Sequence, residues 1–346
     1  MSIKVGFISL GCPKNQVDAE LMLSKIEKAG YEIVDVAYEA DVVIVNTCGF
    51  IEDAKREAID NILEMAELKN EGSIERIIVT GCLSERYQEE ILKEMPEIDG
   101  VLGLGANGDI VKAIESVMQG EGYKSFPNKE DMPLGGDRLL TTPQHWAYLK
   151  IADGCSNCCT YCAIPSIRGE FRSRRMEDIV NEAKTLAAAG TKEIVVIAQD
   201  TTRYGLDLYG ELKLSELLRQ LDEIEGIEWI RLLYCYPDRI TDELLDTVAA
   251  SKHVLHYFDI PLQHANGKVL KAMNRTGDRE SLTALIDKIR EKMPDVILRT
   301  TMIAGFPGET EADFVELCEF IDDIQFDRLG CFFFSDDFVS NCVFFG

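Results

Sequence analysis

Cysteine side chains are the groups in this sequence best suited to chemistry beyond ordinary acid–base catalysis. Three of the eleven cysteines, Cys155, Cys159 and Cys162 (the C-terminal triplet), are spaced C-x3-C-x2-C directly after an apolar run. Three thiolates on one short loop can hold three irons of a cubane cluster and leave the fourth iron open, whereas four cysteines would close it. The spacing therefore predicts an iron–sulfur cluster with one position available to a substrate or cofactor.

A zinc site is an alternative for this loop. It would use Cys155, Cys158, Cys159 and Cys162 as four thiolate ligands. Zinc ribbons and fingers usually take a second ligand pair further along the chain, and no pair with that spacing follows. Buried cysteines without a function are a second alternative. We favour the iron–sulfur interpretation and expect Cys158 to be a neighbour that binds no metal.

A second set of cysteines lies in the first part of the chain. Cys12, Cys48 and Cys82 (the N-terminal triplet) each follow an apolar run of strand character. Loops after successive strands meet at one edge of a parallel sheet, where open α/β sheets bind ligands. We therefore expect the three thiols to converge on a second site. Three buried cysteines near a sheet edge are the alternative.

Two series of alternating strand and helix patterns must position these loops. Residues 1–125 predict an open parallel α/β sheet domain, with strands at Ile3–Leu10, Val42–Asn46, Arg76–Thr80 and Gly100–Gly103. In residues 145–335, six β/α units favour an incomplete (β/α)6 barrel over a complete eight-unit barrel. Its strands are predicted at Ala147–Ala152, Glu193–Ala198, Trp229–Cys235, Leu255–Ile260, Val296–Ile303 and Arg328–Phe334.

Amphipathic stretches predict the helices between those strands. They lie at Asp18–Ala29, Glu52–Leu68, Met176–Ala189, Lys213–Ile224, Asp242–Ala249 and Arg279–Lys292. Residues 126–144 fall in a stretch rich in Gly, Pro, Asp and Lys without periodicity, and are predicted to be a linker. The two cysteine triplets are therefore expected in separate domains.

Composition indicates which cellular compartment and which class of binding partner to expect for this chain. With 46% hydrophobic residues and no apolar stretch of ~18 residues, the chain is expected to be soluble and without a membrane span. No targeting segment precedes the first strand, so we expect the cytoplasm, where cysteines are seldom in structural disulfides. The net charge of −25 weighs against nucleic acid as the main partner and favours a basic polypeptide.

Together these motifs resemble the methylthiotransferase family of radical S-adenosylmethionine (SAM) enzymes, from Ile3 to about Leu329. The resemblance implies two [4Fe–4S] clusters and SAM as cofactors. The N-terminal triplet would hold an auxiliary cluster, and the C-terminal triplet would hold the radical-generating cluster, whose open iron takes SAM.

Four segments are similar to the branch of this family that modifies a ribosomal protein. They are Ser9-Leu-Gly-Cys-Pro-Lys-Asn-Gln-Val-Asp18, Cys162-Ala-Ile-Pro-Ser-Ile-Arg-Gly169, Ala198-Gln-Asp-Thr-Thr-Arg-Tyr-Gly205 and Asp259-Ile-Pro-Leu-Gln-His264. The tRNA-modifying branch typically has Gly-Cys-Gln-Met-Asn around its first cysteine and Pro-Val-Gln-Ser in place of Pro-Leu-Gln-His. The resemblance therefore implies methylthiolation of the β-carbon of an aspartate in a basic small-subunit ribosomal protein.

The implied reaction leaves C–H cleavage to the cofactors. One SAM would methylate a sulfur held at the auxiliary cluster, and a second would be reduced to the radical that abstracts hydrogen from the substrate. The resemblance also implies an electron donor such as flavodoxin or ferredoxin, and makes tRNA the less favoured substrate. Two alternatives stay open, a tRNA adenosine methylthiotransferase and an inactive iron–sulfur-binding fragment.

Other residues follow the predicted barrel strands, where SAM would bind. These candidates are Tyr161, Gln199, Asp200, Gln263, Gly305 and Glu309. Tyr161 is equally compatible with a core aromatic, and His264 is interpreted as a structural histidine ahead of a catalytic one. The basic run Arg168–Arg175 would meet the cofactor carboxylate or an acidic part of the substrate, or form a solvated helix entrance. No catalytic side chain is assigned.

The end of the chain departs from the family pattern. Family members continue after the sixth strand into a small β-barrel, the TRAM domain, whereas residues 336–346 form an atypical aromatic tail. We expect a truncation or a shifted reading frame, which puts substrate capture in doubt while cluster binding survives.

Overall fold

The computed structural model describes residues 2–334, and the predicted tail at residues 336–346 lies outside them. The chain folds into two compact units. The N-terminal unit comprises the chain up to Thr141 together with Ala163–Glu170, and the C-terminal unit comprises Thr142–Cys162 and the chain from Phe171 onward. Most of the predicted linker thus belongs to the N-terminal unit, where Met132 is buried.

A six-stranded parallel sheet forms the centre of the N-terminal unit, in the order β2-β1-β3-β4-β5-β6. The strands are β1 (Lys4–Ser9), β2 (Glu32–Val34), β3 (Val42–Thr47), β4 (Arg76–Gly81), β5 (Gly100–Leu102) and β6 (Tyr123–Ser125). The helices are α1 (Pro13–Lys28), α2 (Glu52–Asn70), α3 (Cys82–Tyr87), α4 (Glu89–Glu94), α5 (Ile110–Met118) and α6 (Ile164–Arg168). The predicted open parallel α/β sheet is confirmed.

Helices cover both faces of this sheet, so its central strands are buried on two sides. Every residue of β3 is buried, as its continuous apolar run predicts for a parallel strand between two helical layers. On one face α2 contributes Ala58 and Ile62 to the core. On the other face α1 and α5 contribute Met22 and Ile110. Because the strands are packed on both faces, their ends are held in position, and so are the loops that carry the N-terminal triplet.

The strand order creates a topological switch point between β1 and β3. The chain runs from β1 to β2 at one edge and then returns across β1 to β3. In open α/β sheets, ligands bind outside the carboxyl ends of the strands at such a point, and Cys12 and Cys48 follow these two strands. The sequence pattern did not reveal β2 or β6, because both are three-residue edge strands, too short to show a periodicity.

A second six-stranded parallel sheet forms the C-terminal unit, in the order β7-β10-β11-β12-β13-β14, and β8 and β9 form a separate antiparallel pair. The strands are β7 (Trp146–Lys150), β8 (Ala152–Asp153), β9 (Arg172–Ser173), β10 (Glu193–Ile197), β11 (Trp229–Leu232), β12 (Val254–Asp259), β13 (Ile297–Ala304) and β14 (Arg328–Phe333). Successive strands of the sheet are neighbours in space, and among the described residues β7 and β14 do not pair. The predicted incomplete (β/α)6 barrel is confirmed.

Helices join the strands of this barrel. They are α7 (Met176–Ala188), α8 (Leu206–Tyr209), α9 (Leu214–Asp222), α10 (Asp242–Ala250), α11 (Gly267–Ala272), α12 (Arg279–Lys292) and α13 (Glu311–Ile324). Capping boxes start the last two, with Asp278 and Ser281 exchanging hydrogen bonds at α12, and Thr310 and Asp313 at α13. No helix in the described part of the chain is long and apolar enough to cross a membrane.

Candidate iron–sulfur sites

Three loops at the carboxyl edge of the N-terminal sheet carry the N-terminal triplet. Cys12 is the residue before α1, Cys48 follows β3, and Cys82 is the first residue of α3, directly after β4. The strands β1, β3 and β4 are neighbours in the sheet. The three thiols therefore share one edge.

Glycines next to these cysteines let the loops touch. A Cβ built on Gly11 would lie 2.8 Å from Cys48 Cβ, and a Cβ built on Gly81 would lie 2.4 Å from Thr47 O. Both glycines have positive φ, +94° and +99°, which a residue with a side chain seldom adopts. Backbone packing therefore sets the spacing between the cysteine loops.

Buried asparagines tie two of these loops together. Asn15, which is 1% exposed, donates from Nδ2 to Leu10 O at 2.7 Å and to Thr47 O at 3.2 Å. Asn46 Nδ2 donates to Asn15 O at 2.9 Å. We did not predict either role from the sequence. The available signal was position, since each asparagine lies within three residues of a triplet cysteine.

A buried arginine lies beside the N-terminal triplet. Arg168, the last residue of α6, is 1% exposed, and its Nη2 lies 2.9 Å from Asp18 Oδ2. The same nitrogen lies 3.6 Å from Cys82 Sγ and 3.4 Å from Asn15 Oδ1. The solvated helix entrance considered for the basic run therefore does not describe Arg168, which pairs with a carboxylate of α1.

Burial and neighbouring charges shift the pKa values of the three thiols in different directions. Burial raises the pKa of Cys82 to about 12 and also raises the pKa of Cys48, in each case against the opposing charge of Arg168. At Cys12 the effect of burial is outweighed by the charges of Lys14 and Arg168 and by backbone hydrogen bonds, so its pKa is lowered. The Arg168 guanidinium is thus close enough to act on all three sulfurs.

A cavity of about 330 Å³ opens beside Cys12 within the N-terminal unit. Ser9, Gly11, Gln16 and Thr141 are among the residues that line it. A cavity of this volume against a triplet thiol leaves room for a group of several atoms at the switch point.

The loop that follows β8 carries the C-terminal triplet. Cys159 is buried, and Cys155 and Cys162 are half-buried. Where the loop begins, Asp153 Oδ2 lies 3.0 Å from Lys150 Nζ, and both side chains are fully buried. An ion pair therefore anchors the strand end from which the loop leaves.

Two asparagines hold this loop in place. Asn157 Nδ2 donates to Asp200 Oδ2 at 2.9 Å, and Asn274 Nδ2 donates to Cys158 O at 2.9 Å. Cys158 has a φ of +52°, a left-handed conformation that turns the chain between two triplet cysteines. Cys158 thus contributes a turn through its backbone, and its lack of a metal-binding role stays a prediction.

The predicted SAM-binding residue Asp200 is 1% exposed and bound within the protein. Besides the cysteine loop, its carboxylate accepts hydrogen bonds from Thr202 Oγ1 at 2.5 Å and Arg239 Nη1 at 3.0 Å. Its neighbour Gln199 donates from Nε2 to Asp153 Oδ1 at 3.1 Å, while Gln199 Oε1 is buried and accepts no hydrogen bond within the described residues. The geometry favours Asp200 as a support of the cysteine loop and Gln199 as the residue with an acceptor available to a ligand.

The Gly-rich segment after β13 is held in shape by Glu309. Glu309 Oε2 accepts hydrogen bonds from the N–H groups of Gly305 at 2.6 Å and Phe306 at 2.8 Å. Fully buried His264 accepts a hydrogen bond at Nδ1 from Asn266 N, which leaves Nε2 to carry the proton 3.5 Å from Glu309 Oε1. Burial lowers the pKa of His264 against the opposing charge of Glu309. A neutral His264 therefore supports the segment through Glu309.

Gln263 occupies a strained turn beside β13. Its φ is +72°. Its backbone N–H donates to Thr301 O at 2.8 Å, and its carbonyl accepts from Ile303 N at 2.7 Å. The backbone of Gln263 is thus fixed to the strand.

Arg275 lies beside the C-terminal triplet, and no sequence pattern points to it. It is 7% exposed, and its Nη1 lies 3.8 Å from Cys159 Sγ and 3.5 Å from Tyr161 Oη. Its other terminal nitrogen donates to Pro261 O at 2.7 Å, and the guanidinium lies 4.3 Å from the centroid of the Tyr236 ring. Each triplet therefore has one buried arginine in contact with one of its sulfurs.

The donor sets fit iron–sulfur clusters. Within residues 2–334, no group of three or more His, Cys, Asp and Glu side chains converges closely enough to hold one metal ion. In a cubane cluster each cysteine binds a different iron, so three thiols suit three irons and leave the fourth iron open. Each triplet offers three cysteines at one sheet edge or in one loop, and their assignment as cluster ligands stays a prediction.

Comparison with known proteins gives matches in both units of the chain. Residues 149–321 match the model of the radical SAM superfamily, and residues 4–103 match the model described as uncharacterized protein family UPF0004. A relative in Clostridioides difficile (strain 630), ribosomal protein uS12 methylthiotransferase RimO, is 50% identical over 338 residues, which cover 96% of this chain and 75% of the relative. The relative of the same name in Acetivibrio thermocellus is 51% identical over 343 residues, covering 97% and 76%.

A solved structure shares the fold. The radical SAM methyltransferase TsrM from Kitasatospora setae, with cobalamin and a [4Fe–4S] cluster bound, superposes with a TM-score of 0.70 at 14% identity, covering 96% of this chain and 75% of that one.

The barrel, its C-x3-C-x2-C loop and the family match thus define a radical SAM enzyme, which uses SAM and [4Fe–4S] clusters as cofactors. The likeness extends through both units. The chain belongs to the family of the ribosomal protein uS12 methylthiotransferases, RimO.

Proposed function

We propose that this chain transfers a methylthio group to the β-carbon of an aspartate in ribosomal protein uS12. The observation that carries the proposal is the presence of two cysteine triplets, each at or after the carboxyl end of strands in its own parallel α/β unit. A radical SAM reaction needs one triplet. A second triplet suits a reaction in which a sulfur atom must also be held and transferred.

Each triplet is proposed to bind a different cluster. The N-terminal triplet would hold one [4Fe–4S] cluster, and the C-terminal triplet would hold the other together with SAM. When bound, these cofactors supply the radical that removes hydrogen and the sulfur that replaces it.

The chain's own residues orient those groups. Gln199 Oε1 would accept a hydrogen bond from SAM, since its acceptor is buried without a partner in the described chain. Glu309 fixes the segment from Gly305 through two backbone hydrogen bonds, which keeps this segment in shape for the adenine. Tyr161 and Gln263 are proposed to line the same pocket, and Asp200 to keep the cysteine loop in position.

The surface charge suits the proposed substrate. A net charge of −25 attracts a basic ribosomal protein and repels a phosphate backbone. We therefore place tRNA second among substrates. The cytoplasm is the proposed compartment, and a flavodoxin or ferredoxin the proposed electron donor.

Metal analysis with EPR after anaerobic reconstitution tests the cluster assignments. Wild type is expected to hold about eight irons per chain, and about four after alanine replaces either whole triplet. Cys235→Ala is the matched control, because buried Cys235 lies outside both triplets, 3.8 Å from Thr201 Oγ1, and should keep the full iron content. Bound zinc, or iron content that neither triple substitution changes, would refute the assignment.

Mass spectrometry of the modified substrate tests the reaction. Loaded protein is incubated with SAM, a reductant and either uS12 or tRNA. A methylthio group on a uS12 aspartate is the expected product. Modification of tRNA alone would support the tRNA alternative, and full cluster loading without SAM cleavage would support the inactive fragment.

A further inference from the structure

We propose that Arg168 is a positioning residue for the N-terminal triplet, where it donates a hydrogen bond to Cys82 Sγ and sets the reduction potential of the cluster bound there. The proposal rests on the proposed function, because it assumes that this triplet holds a cluster. It assigns a role to a residue that binds neither SAM nor substrate.

The geometry explains why the residue is an arginine. Arg168 Nη2 reaches both the Asp18 carboxylate, at 2.9 Å, and Cys82 Sγ, at 3.6 Å. A guanidinium holds its N–H donors in a fixed plane, and the two N–H groups of Nη2 can point to a carboxylate and a sulfur from one rigid position. The Asp18 carboxylate offsets the energetic cost of burying the Arg168 guanidinium and orients that group toward Cys82 Sγ.

A second buried ion pair on α1 provides a comparison for the pair of Asp18 and Arg168. Glu20 Oε2 lies 3.5 Å from Arg138 Nη1, and the two side chains are 2% and 3% exposed. Glu20 Oε1 accepts hydrogen bonds from Thr141 N and Oγ1, both at 2.9 Å. Glu20 is two residues beyond Asp18 on the same helix, and both pairs join a guanidinium to a carboxylate with side chains no more than 3% exposed.

The charge beside the sulfurs has a predictable effect on the cluster. Reduction adds a negative charge, and cluster potentials depend on net local charge and on hydrogen bonds to the sulfurs. A cation with an N–H···S bond favours the reduced state. In the resting pair Asp18 offsets that cation, so removing the Asp18 charge should raise the potential, and removing both partners should lower it again.

The test is an EPR-monitored redox titration of the full chain in which alanine replaces the C-terminal triplet, so that only the N-terminal cluster is present. The single variant Asp18→Asn is compared with Glu20→Gln, which changes the net charge equally. The double variant Asp18→Asn/Arg168→Gln is compared with Glu20→Gln/Arg138→Gln. Asp18→Asn should raise the reduced-to-oxidised ratio at fixed potential on the order of tenfold, a shift of ~59 mV for one electron. The Asp18→Asn/Arg168→Gln variant should return to the starting potential or below it.

Equal shifts in Asp18→Asn and Glu20→Gln, no shift in either, or a raised potential that persists without Arg168 would overturn the proposal. If the double variant does not fold, the comparison of the two single variants still decides. Failure of the proposed function gives a different result, since a chain whose N-terminal triplet binds no cluster shows no iron before any of these substitutions is made.

Discussion

Gly81 offers the sharpest test of how the N-terminal triplet is held together. Its φ of +99° and ψ of −161° lie in a region that essentially only glycine occupies, and a side chain there costs on the order of 1–3 kcal/mol. A Cβ would also lie 2.4 Å from Thr47 O and 2.6 Å from Thr47 N, and overpacking costs about 1–3 kcal/mol. Gly81→Ala is therefore expected to lower the free energy of unfolding by about 2–6 kcal/mol.

Gly72→Ala separates the two contributions. Gly72 has a φ of +80°, and a Cβ built on it would meet nothing within 4 Å, so this variant carries only a conformational penalty of about 1–2 kcal/mol. Urea denaturation of the metal-free proteins, followed by circular dichroism, measures both losses. After reconstitution, Gly81→Ala should hold about four irons per chain and Gly72→Ala about eight, because the overlap at Thr47 separates the loops of Cys82 and Cys48.

Equal losses of stability in the two variants, with full iron content in both, would refute the reasoning. The spacing of the triplet would then depend on something other than backbone contact between its loops.

Three further predictions concern the C-terminal unit. Asp153→Ala removes the carboxylate beside buried Lys150 and should lower the free energy of unfolding by about 3–5 kcal/mol in urea denaturation, with partial recovery in Asp153→Ala/Lys150→Met; no loss would contradict a stabilising pair. Burial lowers the pKa of His264 in the folded chain from 6.5. As the pH falls through 6.5, the unfolded chain therefore binds a proton at this histidine before the folded chain does, and the free energy of unfolding decreases. His264→Gln should therefore show a smaller loss of stability between about pH 8 and pH 5, and an unchanged pH profile would count against a neutral buried imidazole. Cys158→Ala should keep about eight irons per chain, whereas a fall to four would make Cys158 a ligand.

Features that depend on local pattern were predictable from the sequence. The apolar run Val42–Val45 predicts β3, which is buried along its whole length and continues through the polar residues Asn46 and Thr47 to the position before Cys48. The short pair β8–β9 has two residues in each strand, too few for any periodicity. The number of strands in the barrel sheet was therefore predictable, and this small ladder was not. Two predicted strand ends were wrong, since β11 ends at Leu232 instead of Cys235 and β7 ends at Lys150 instead of Ala152.

Partners of buried polar side chains were not predictable. Asn15 and Arg168 are 153 residues apart, and nothing in the spacing of either residue indicates the other. Asp200 was placed correctly after β10, but its carboxylate is satisfied by Arg239 and Thr202 from within the fold. Arg275 contacts Cys159 across 116 positions. Such contacts arise from tertiary packing, which leaves no periodic pattern in a single sequence.

Because Gly11 and Gly81 let the loops of the N-terminal triplet pack against each other, we expect the loops to become ordered when the sheet folds, before a cluster binds. Ordering a flexible loop at the moment of binding would cost about 1–2 kcal/mol per residue, and in zinc fingers metal binding and folding are a single event. We expect the N-terminal triplet to separate the two events. A chain that loses the proposed cluster should then keep a folded site, which a new cluster can fill without refolding of the loops.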